Sequence, residues 1–303
     1  MESVIAAAFI ILWSSGYIAG KIAIGYGAPF TTLVLRFGGA SLVFGVIAAW
    51  RRPPWPGWPF ILHNAVVGLL SVCVQFGGMY MAFRLGASSG FTALTIGLLP
   101  LAVSLTSALL GDRQPLRHWL GLALGLLGVV LVLQDRLASG LGSTSAGVGL
   151  LLALLGITFG TMYQKRYALS SDLNIGLLVQ FLVGTVVLAP IAFGLEGFQF
   201  ESKAAYAQAT IWMVLVNSVA AQWLMSVLLR RGAVTKVSAL FYLLTPVTAL
   251  MAWAILDEAL SAWKLAGFAL ASLGVYFATH VAKGKAAAAP GAPRTSAFKP
   301  SDR

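Results

Sequence analysis

Charged side chains are scarce in this sequence: only 10 % of its 303 residues are Asp, Glu, Lys or Arg, and nine of these are acidic. A single cysteine, Cys73, excludes an intramolecular disulfide. No H-E-x-x-H motif or other ligand cluster predicts a metal or a cofactor. Since 59 % of the chain is hydrophobic, one soluble core cannot hide its apolar surface. The scarcity of charge and the high hydrophobic content together predict an all-α integral membrane protein.

Acidic residues are missing from the predicted helix interiors. All nine fall at helix ends, in loops or in the tail: Glu2, Asp112, Asp135, Asp172, Glu196, Glu201, Asp257, Glu258 and Asp302. A pump that carries protons on an intramembrane carboxylate, or a carrier of lipophilic cations, would normally show one at the midplane. Phosphate carriers should show several buried basic residues, and only Arg36 lies deep, about 10 Å into its helix at ~1.5 Å per residue. Arg36 could hold a substrate carboxylate or a helix-end carbonyl, and we favour the structural role.

One enzyme motif occurs, because residues 86–90 (Gly-Ala-Ser-Ser-Gly) fit the G-x-S-x-G nucleophile pattern. It lies at the start of a predicted helix, not on a strand-to-helix turn. A buried base is also lacking, since His63 and His280 lie near helix ends and His118 lies in a loop. We therefore predict no catalytic residues.

Apolar segments of about 20 residues, long enough to cross a bilayer as helices, recur along the chain. We predict ten of them, at residues 4–25, 29–50, 60–83, 88–110, 116–134, 147–167, 173–194, 207–229, 235–256 and 262–281.

The sequence also looks duplicated. At a spacing of 146 residues Pro100 matches Pro246, Asp112 matches Glu258, Gly121 matches Gly267 and Gly128 matches Gly274. Nearer the N-terminus the spacing is 144, and it pairs Gly16 with Gly160, Lys21 with Lys165 and Arg36 with Gln180. We predict a first repeat at residues 1–138, a linker at 139–146, a second repeat at 147–282 and a disordered basic tail at 283–303. Five helices per repeat is an odd number, so the second repeat would be inverted, as in many transporters.

Basic residues predict the orientation. With a cytoplasmic N-terminus, 14 of the 20 Lys and Arg residues fall on the cytoplasmic side and five on the other, while Arg36 lies inside a helix. This positive-inside bias predicts that both termini are cytoplasmic. The net charge of +11 is then a topology signal, and no nucleic-acid partner is predicted.

Polar and aromatic side chains at matching depths mark a candidate substrate site near the midplane, where transporter repeats meet. They are Trp13, Ser14, Tyr17, Gln75, Met79, Tyr80, Tyr163, Asn217, Gln222 and Tyr242. The alternative for each polar member is interhelical hydrogen bonding. Pro100 and Pro246 each fall about twelve residues into a span and predict matched kinks, which could be mobile or fixed.

These features resemble the EamA branch of the drug/metabolite transporter superfamily: ten helices in two inverted halves, the run of residues 13–17 (Trp-Ser-Ser-Gly-Tyr), Arg36, and the two prolines followed by Asp112 and Glu258. Within that branch the chain is most similar to the bacterial YddG-type exporters of aromatic amino acids. The resemblance implies export across the inner membrane, a cavity lined by the first, third, fourth, sixth, eighth and ninth helices, and a peripheral position for the fifth and tenth.

The expected function is therefore export of aromatic and other neutral amino acids by alternating access at a midplane cavity. Membrane lipid is the other expected partner, and a homodimer is one assembly that the sequence allows. Two alternatives stay open: export of another small metabolite or drug, such as a purine, and a channel or membrane scaffold.

Overall fold

The computed structural model describes residues 2–111, 116–138, 144–167, 172–225 and 234–280. Asp112, residues 139–143 of the predicted linker and the predicted tail lie outside the described residues. The described residues form these helices: α1 (Glu2–Ile24), α2 (Pro29–Arg51), α3 (Trp58–Arg84), α4 (Ser89–Leu109), α5 (Leu116–Ala138), α6 (Thr144–Tyr167), α7 (Leu173–Glu196), α8 (Ala204–Met225), α9 (Val234–Leu256) and α10 (Ala262–His280).

Six helices, α2, α3, α4, α6, α7 and α8, are long and apolar enough to cross a membrane. Shorter apolar helical stretches lie in α1 (Ala8–Ile24), α5 (Trp119–Val132) and α9 (Leu244–Leu256). Large apolar side chains cover the outside of the bundle, as expected of a surface that meets lipid. The all-helical membrane fold is thus confirmed, whereas the number of ten crossings stays a prediction.

Several helix contacts recur when a helix of α1–α5 is exchanged with its counterpart in α6–α10. Helix α3 packs on α6 as α8 packs on α1, and α4 packs on α6 as α9 packs on α1. Three further contacts join counterparts directly: α2 with α7, α4 with α9 and α5 with α10.

The contact between α5 and α10 is reciprocal in detail. A Cβ placed on Gly128 would lie 2.6 Å from the carbonyl oxygen of Gly267, and a Cβ on Gly274 would lie 2.6 Å from that of Gly121. Adding 146 to the first residue number and subtracting 146 from the second turns the contact of Gly128 with Gly267 into the contact of Gly274 with Gly121. Small residues here let the two backbones touch, so this face of each helix is used for packing rather than for a site.

Both α3 and α8 widen near their middles. The hydrogen bonding becomes π-helical at Leu69–Val74 in α3 and at Met213–Ala221 in α8, and these stretches begin 144 residues apart. Such insertions are often found at functional sites. Asn217 lies inside the second stretch, and Gln75 follows the first directly.

The two singled-out prolines behave differently. The hydrogen-bond ladder of α4 is interrupted at Leu98, two residues before Pro100, where the Leu98 amide bonds to Thr95 in a tighter turn at 3.2 Å. Helix α9 stays helical through Pro246. Proline removes one backbone donor in each case, but only α4 is divided into two segments.

The bundle has two ends. The Lys21 face holds Lys21 and the segments 25–28, 85–88, 197–203 and 257–261, and the Lys165 face holds Lys165 and the segment 52–57.

Two loops are locked together at the Lys21 face. Residues 26–28 and 199–201 share two backbone hydrogen bonds of 3.1 and 2.7 Å and an isolated antiparallel bridge. Beside them, the Glu196 carboxylate at the end of α7 accepts hydrogen bonds from the Phe30 and Thr31 amides at 3.0 and 2.7 Å. The Glu196 carboxylate therefore caps the N-terminus of α2 from another helix.

Candidate functional site

A cavity lies in the middle of the bundle, between α1, α2, α3 and α8. It is lined by Trp13, Gly16, Tyr17, Arg36, Gln75, Phe76, Met79, Asn217 and Gln222. Six of the predicted site residues are therefore brought together, from three helices that are distant in sequence. Ligand pockets of this kind are largely apolar with a few polar groups that fix orientation.

A second cavity continues from the first, because the two share six lining residues: Trp13, Arg36, Gln75, Phe76, Asn217 and Gln222. Its further walls include Thr161 and Gln164 near the end of α6 and Met225 at the end of α8. Thr161 and Gln164 lie close to Lys165 in the chain, and Met225 ends a helix that begins at the Lys21 face, so the continuous space extends from mid-depth toward the Lys165 face.

Arg36 is the buried cation of this site, with 4 % of its surface exposed. Its Nε donates to Ser218 Oγ at 2.9 Å, and Nη1 donates to the Tyr80 hydroxyl at 3.1 Å. Its guanidinium carbon lies 4.5 Å from the centre of the Phe76 ring, which is cation–π distance. Within the described residues Arg36 has no carboxylate partner, so its charge is solvated by hydroxyl groups and aromatic rings alone.

Asn217 contributes a neutral amide group to the cavity wall. Its Nδ2 donates to the Leu12 carbonyl oxygen at 2.6 Å, while its Oδ1 is buried without a hydrogen-bond partner. A Cβ on Gly16 would lie 2.8 Å from Nδ2, so glycine at that position of α1 makes room for the amide.

Three predicted site residues do not line either cavity. Ser14 is fully buried, with its hydroxyl 3.4 Å from the Leu244 carbonyl oxygen, and joins α1 to α9. Tyr80 is also fully buried and lies behind Arg36. The Tyr163 hydroxyl bonds His63 Nδ1 at 2.9 Å, in an aromatic cluster at the Lys165 face. A fourth predicted residue, Tyr242, has a side chain outside the described part of the structure.

The cavities include residues that the sequence reasoning missed. Phe76 lines both spaces beneath Arg36, and Gln180 lines the second, where its Nε2 donates to Asn64 Oδ1 at 2.8 Å. Gln180 is the repeat counterpart of Arg36, so the 144-residue spacing could have identified it. Phe76 carries no such signal, since one phenylalanine in an apolar helix resembles any other.

Two charged residues clasp the segment 83–89 at the Lys21 face. Lys21 Nζ donates to the Ala87 carbonyl oxygen at 2.7 Å and to that of Phe83 at 3.4 Å. On the other side, Glu258 Oε1 accepts from the Ser89 amide at 2.8 Å, at the N-terminus of α4. We call this pair of contacts the clasp. It holds α1 and the α9–α10 loop against α3 and α4, at an end of the bundle whose described segments line neither cavity.

At the Lys165 face, the repeat counterpart of Lys21 does not form an equivalent clasp in the described part of the structure. Lys165 matches Lys21 in the repeat, and its side chain is exposed at the Lys165 face. The two faces therefore differ in the contacts of equivalent lysines.

The G-x-S-x-G segment serves a local structural role. Ser88 Oγ accepts from the Phe91 amide at 3.3 Å and caps α4, and Gly86 adopts a positive φ of 91° in the preceding turn. Among the residues that the structure describes, no three His, Cys, Asp or Glu side chains come together as metal ligands would.

Comparison with known proteins identifies the family. The sequence profile of the EamA-like transporter family matches residues 2–134 and 144–279. The chain belongs to this family. The resemblance to the EamA branch of the drug/metabolite transporters is thereby confirmed at the level of the family.

EamA-family relatives are named as transporters. The uncharacterized inner membrane transporter YedA of Escherichia coli K12 is 25 % identical over 181 residues, which is 60 % of this chain and 58 % of YedA, less than two thirds of its length. An uncharacterized transporter of Archaeoglobus fulgidus is 24 % identical over 280 residues, 89 % of this chain and 94 % of that protein. Another, from Synechocystis sp., is 26 % identical over 294 residues, 88 % of this chain and 86 % of that protein.

A solved crystal structure shares the fold. It superposes with a TM-score of 0.63 over 93 % of this chain and 97 % of that chain, at 22 % sequence identity. Together with the apolar helices, the family assignment supports a multi-pass membrane protein of the EamA-like transporter family.

Proposed function

We propose that this EamA-family chain exports aromatic and other neutral amino acids across the inner membrane, as YddG-type exporters do. Transport would proceed by alternating access, with ten crossing helices arranged as two inverted repeats, residues 1–138 and 147–282. The reciprocal glycine contacts, the exchangeable helix packing and the two blocks matched by the family profile support the repeats.

One observation carries the substrate class: the mid-depth cavity has aromatic and amide walls, one buried cation and no described carboxylate. A lipophilic cation would be repelled by Arg36 and would find no counter-ion. Binding of a multiply charged phosphate would require more than one buried Lys or Arg residue. A neutral amino acid carries one carboxylate, one ammonium and an apolar part, and this combination matches the groups available.

The conformation fits one half of an alternating-access cycle. The cavity extends toward the Lys165 face, whereas the described segments of the Lys21 face line neither cavity and are held together by the clasp and the locked loops. If both termini are cytoplasmic, as the basic residues predict, the Lys165 face is cytoplasmic and the structure is inward-facing. Reporter fusions after Lys285 and near Arg52 should then read cytoplasmic, and fusions near Gly140 and Lys203 should read external.

The second candidate within this class is export of another small metabolite or drug such as a purine, favoured only by the aromatic walls. A channel or scaffold is disfavoured because no residue of the described Lys21-face segments lines either cavity, and the lining residues do not form a continuous polar ring.

Counterflow in liposomes tests the proposal. Purified protein is reconstituted with unlabelled amino acid inside, and uptake of labelled phenylalanine, leucine, glutamate, lysine and adenine is compared. We expect saturable uptake of phenylalanine and leucine, stimulated by the same solute on the opposite side. Uptake that never saturates would indicate a channel, and counterflow of adenine alone would indicate the metabolite alternative.

A further inference from the structure

We propose that Arg36 and Asn217 are the two poles of the substrate site: the Arg36 guanidinium receives the α-carboxylate, and Asn217 Oδ1 receives the α-ammonium. This inference rests on the proposed amino-acid transport and assigns the recognition chemistry within it.

Arg36 has the properties of an anion receptor. A guanidinium carries five N–H donors in a planar fork that matches a carboxylate. In the structure Nε bonds Ser218 and Nη1 bonds Tyr80, while Nη2 has no hydrogen-bond partner among the described residues. A cation that is 4 % exposed and faces a cavity without a carboxylate is costly unless an anion pairs with it. A substrate carboxylate would supply that anion.

The residues behind Arg36 fix its direction. The Tyr80 hydroxyl accepts a hydrogen bond from Nη1 and donates one to Met213 Sδ at 2.8 Å. The hydroxyl is therefore held as an acceptor toward Arg36. Tyr80 is fully buried, so this hydrogen-bond partner of the guanidinium is itself held by packing. Ser218 holds Nε from α8. Tyr80 and Ser218 are therefore positioning residues, and the remaining donors of Arg36 are left for a ligand.

Asn217 is oriented just as firmly. One terminal atom of the Asn217 amide lies 2.6 Å from the Leu12 carbonyl oxygen. Because a carbonyl oxygen only accepts hydrogen bonds, that atom must be the donor Nδ2. A second contact of Nδ2, 3.4 Å to Ser15 Oγ, uses its other proton. Ser15 Oγ is itself held, donating to Leu12 and accepting from the Trp212 indole at 2.9 Å. The free Oδ1 is consequently a fixed acceptor, and an ammonium is the donor that an amino acid brings.

The substrate side chain would lie in the second cavity. Phe76, Phe181, Ile157 and Met225 give this space apolar walls. No described side chain that lines it carries a negative charge, so a lysine ammonium would be buried unpaired. This geometry points to neutral side chains of medium or large size.

Ligand analogues test the two poles on the unmodified protein. Inhibition of phenylalanine counterflow is measured with phenylalanine, with phenylalaninamide, which lacks the carboxylate charge, and with N-acetylphenylalanine, which lacks the ammonium. We expect each capped analogue to bind about 10- to 100-fold more weakly, as expected for the loss of a charge-assisted hydrogen bond. Equal inhibition by all three would overturn the assignment.

Substitutions then locate the poles. Arg36→Gln should weaken phenylalanine by about 10- to 100-fold while leaving phenylalaninamide nearly unchanged, so that the preference for the carboxylate disappears. Ser218→Ala keeps the charge and should raise the KM for phenylalanine several-fold with little change in maximal rate. Arg51→Gln, the same substitution at the exposed end of the same helix, is the matched control and should behave as the unmodified protein.

The outcomes separate the two proposals. Should the unmodified protein transport no amino acid, the proposed function fails. Should it transport phenylalanine while Arg36→Gln keeps the full preference over phenylalaninamide, only the pole assignment fails. If Arg36→Gln does not reach the membrane, the analogue series and Ser218→Ala decide: equal inhibition of the unmodified protein by the three ligands, or an unchanged KM for phenylalanine in Ser218→Ala, would refute the inference.

Discussion

Removing the Glu258 carboxylate should open the Lys21 face of the transporter. Glu258 Oε1 accepts a hydrogen bond of 2.8 Å from the Ser89 amide, one of the unpaired donors at the N-terminus of α4. A hydrogen bond to a charged group contributes about 1.5–3 kcal/mol net. If this contact exists only while the face is closed, Glu258→Ala shifts the equilibrium by that amount, about 10- to 150-fold toward the open state. Glu258→Gln keeps a neutral acceptor, so its open-state population should lie between those of the unmodified protein and Glu258→Ala.

Thiol labelling from the Lys21 face measures this shift. The single cysteine is replaced (Cys73→Ala), Gln75→Cys places a thiol in the cavity wall, and intact cells receive a membrane-impermeant maleimide, which reaches the Lys21 face in the proposed orientation. The labelling rate should rise in the order unmodified, Glu258→Gln, Glu258→Ala.

Glu201→Ala is the matched control for this experiment. Glu201 lies on the same face, but its carboxylate is 56 % exposed and pairs only with Lys203, at 2.6 Å, where its hydrogen bond raises the pKa of the Lys203 amine. Exposed pairs of this kind contribute little, so the labelling rate should not change. The clasp is refuted if Glu258→Ala labels no faster than Glu201→Ala while both proteins are present in the membrane in equal amounts.

Three further predictions follow from the contacts. Lys165→Met should leave closure of the Lys21 face intact and should not raise the labelling rate there, because the Lys165 side chain is exposed at the other end. Trp13→Ala should weaken phenylalanine counterflow several-fold through lost aromatic contact of about 0.5–1.5 kcal/mol, whereas Tyr163→Phe, outside the cavity, should not change the KM. Gly128→Ala and Gly274→Ala should lower the melting temperature in detergent by similar amounts, each at a cost of about 1–3 kcal/mol; clearly unequal shifts would contradict the reciprocal contact.

The membrane fold was accessible to sequence reasoning because lipid imposes a simple rule on length and polarity. The helix starts also carried local signals, such as Asp172, whose carboxylate caps α7 through the Asn174 and Ile175 amides at 2.8 and 3.2 Å. The widened stretches in α3 and α8 were not predictable, since nothing in Leu69–Val74 distinguishes π-helical from α-helical hydrogen bonding.

The candidate site was partly predictable, because depth along a helix can be counted from the sequence but direction around the helix cannot. Gln75 and Asn217, two of the predicted site residues, line the cavity. Tyr80 lies only one residue after Met79, yet it faces away from the space and toward Arg36. The prediction that Arg36 is structural stays untested, and its hydrogen bonds serve either role, since the two that it makes leave other donors for a ligand.

The reciprocal contact between α5 and α10 also constrains the order in which the protein can assemble. Gly128 and its neighbour Gly267 are synthesised about 140 residues apart, which at 5–20 residues per second is roughly 7–30 s of translation. Throughout that interval the small-residue face of α5 can meet only lipid or an unrelated helix, because its partner does not yet exist. A ribosome that stalls after α9 would therefore leave a nearly complete bundle with one open backbone groove, and quality-control proteases would have a defined surface by which to recognise it.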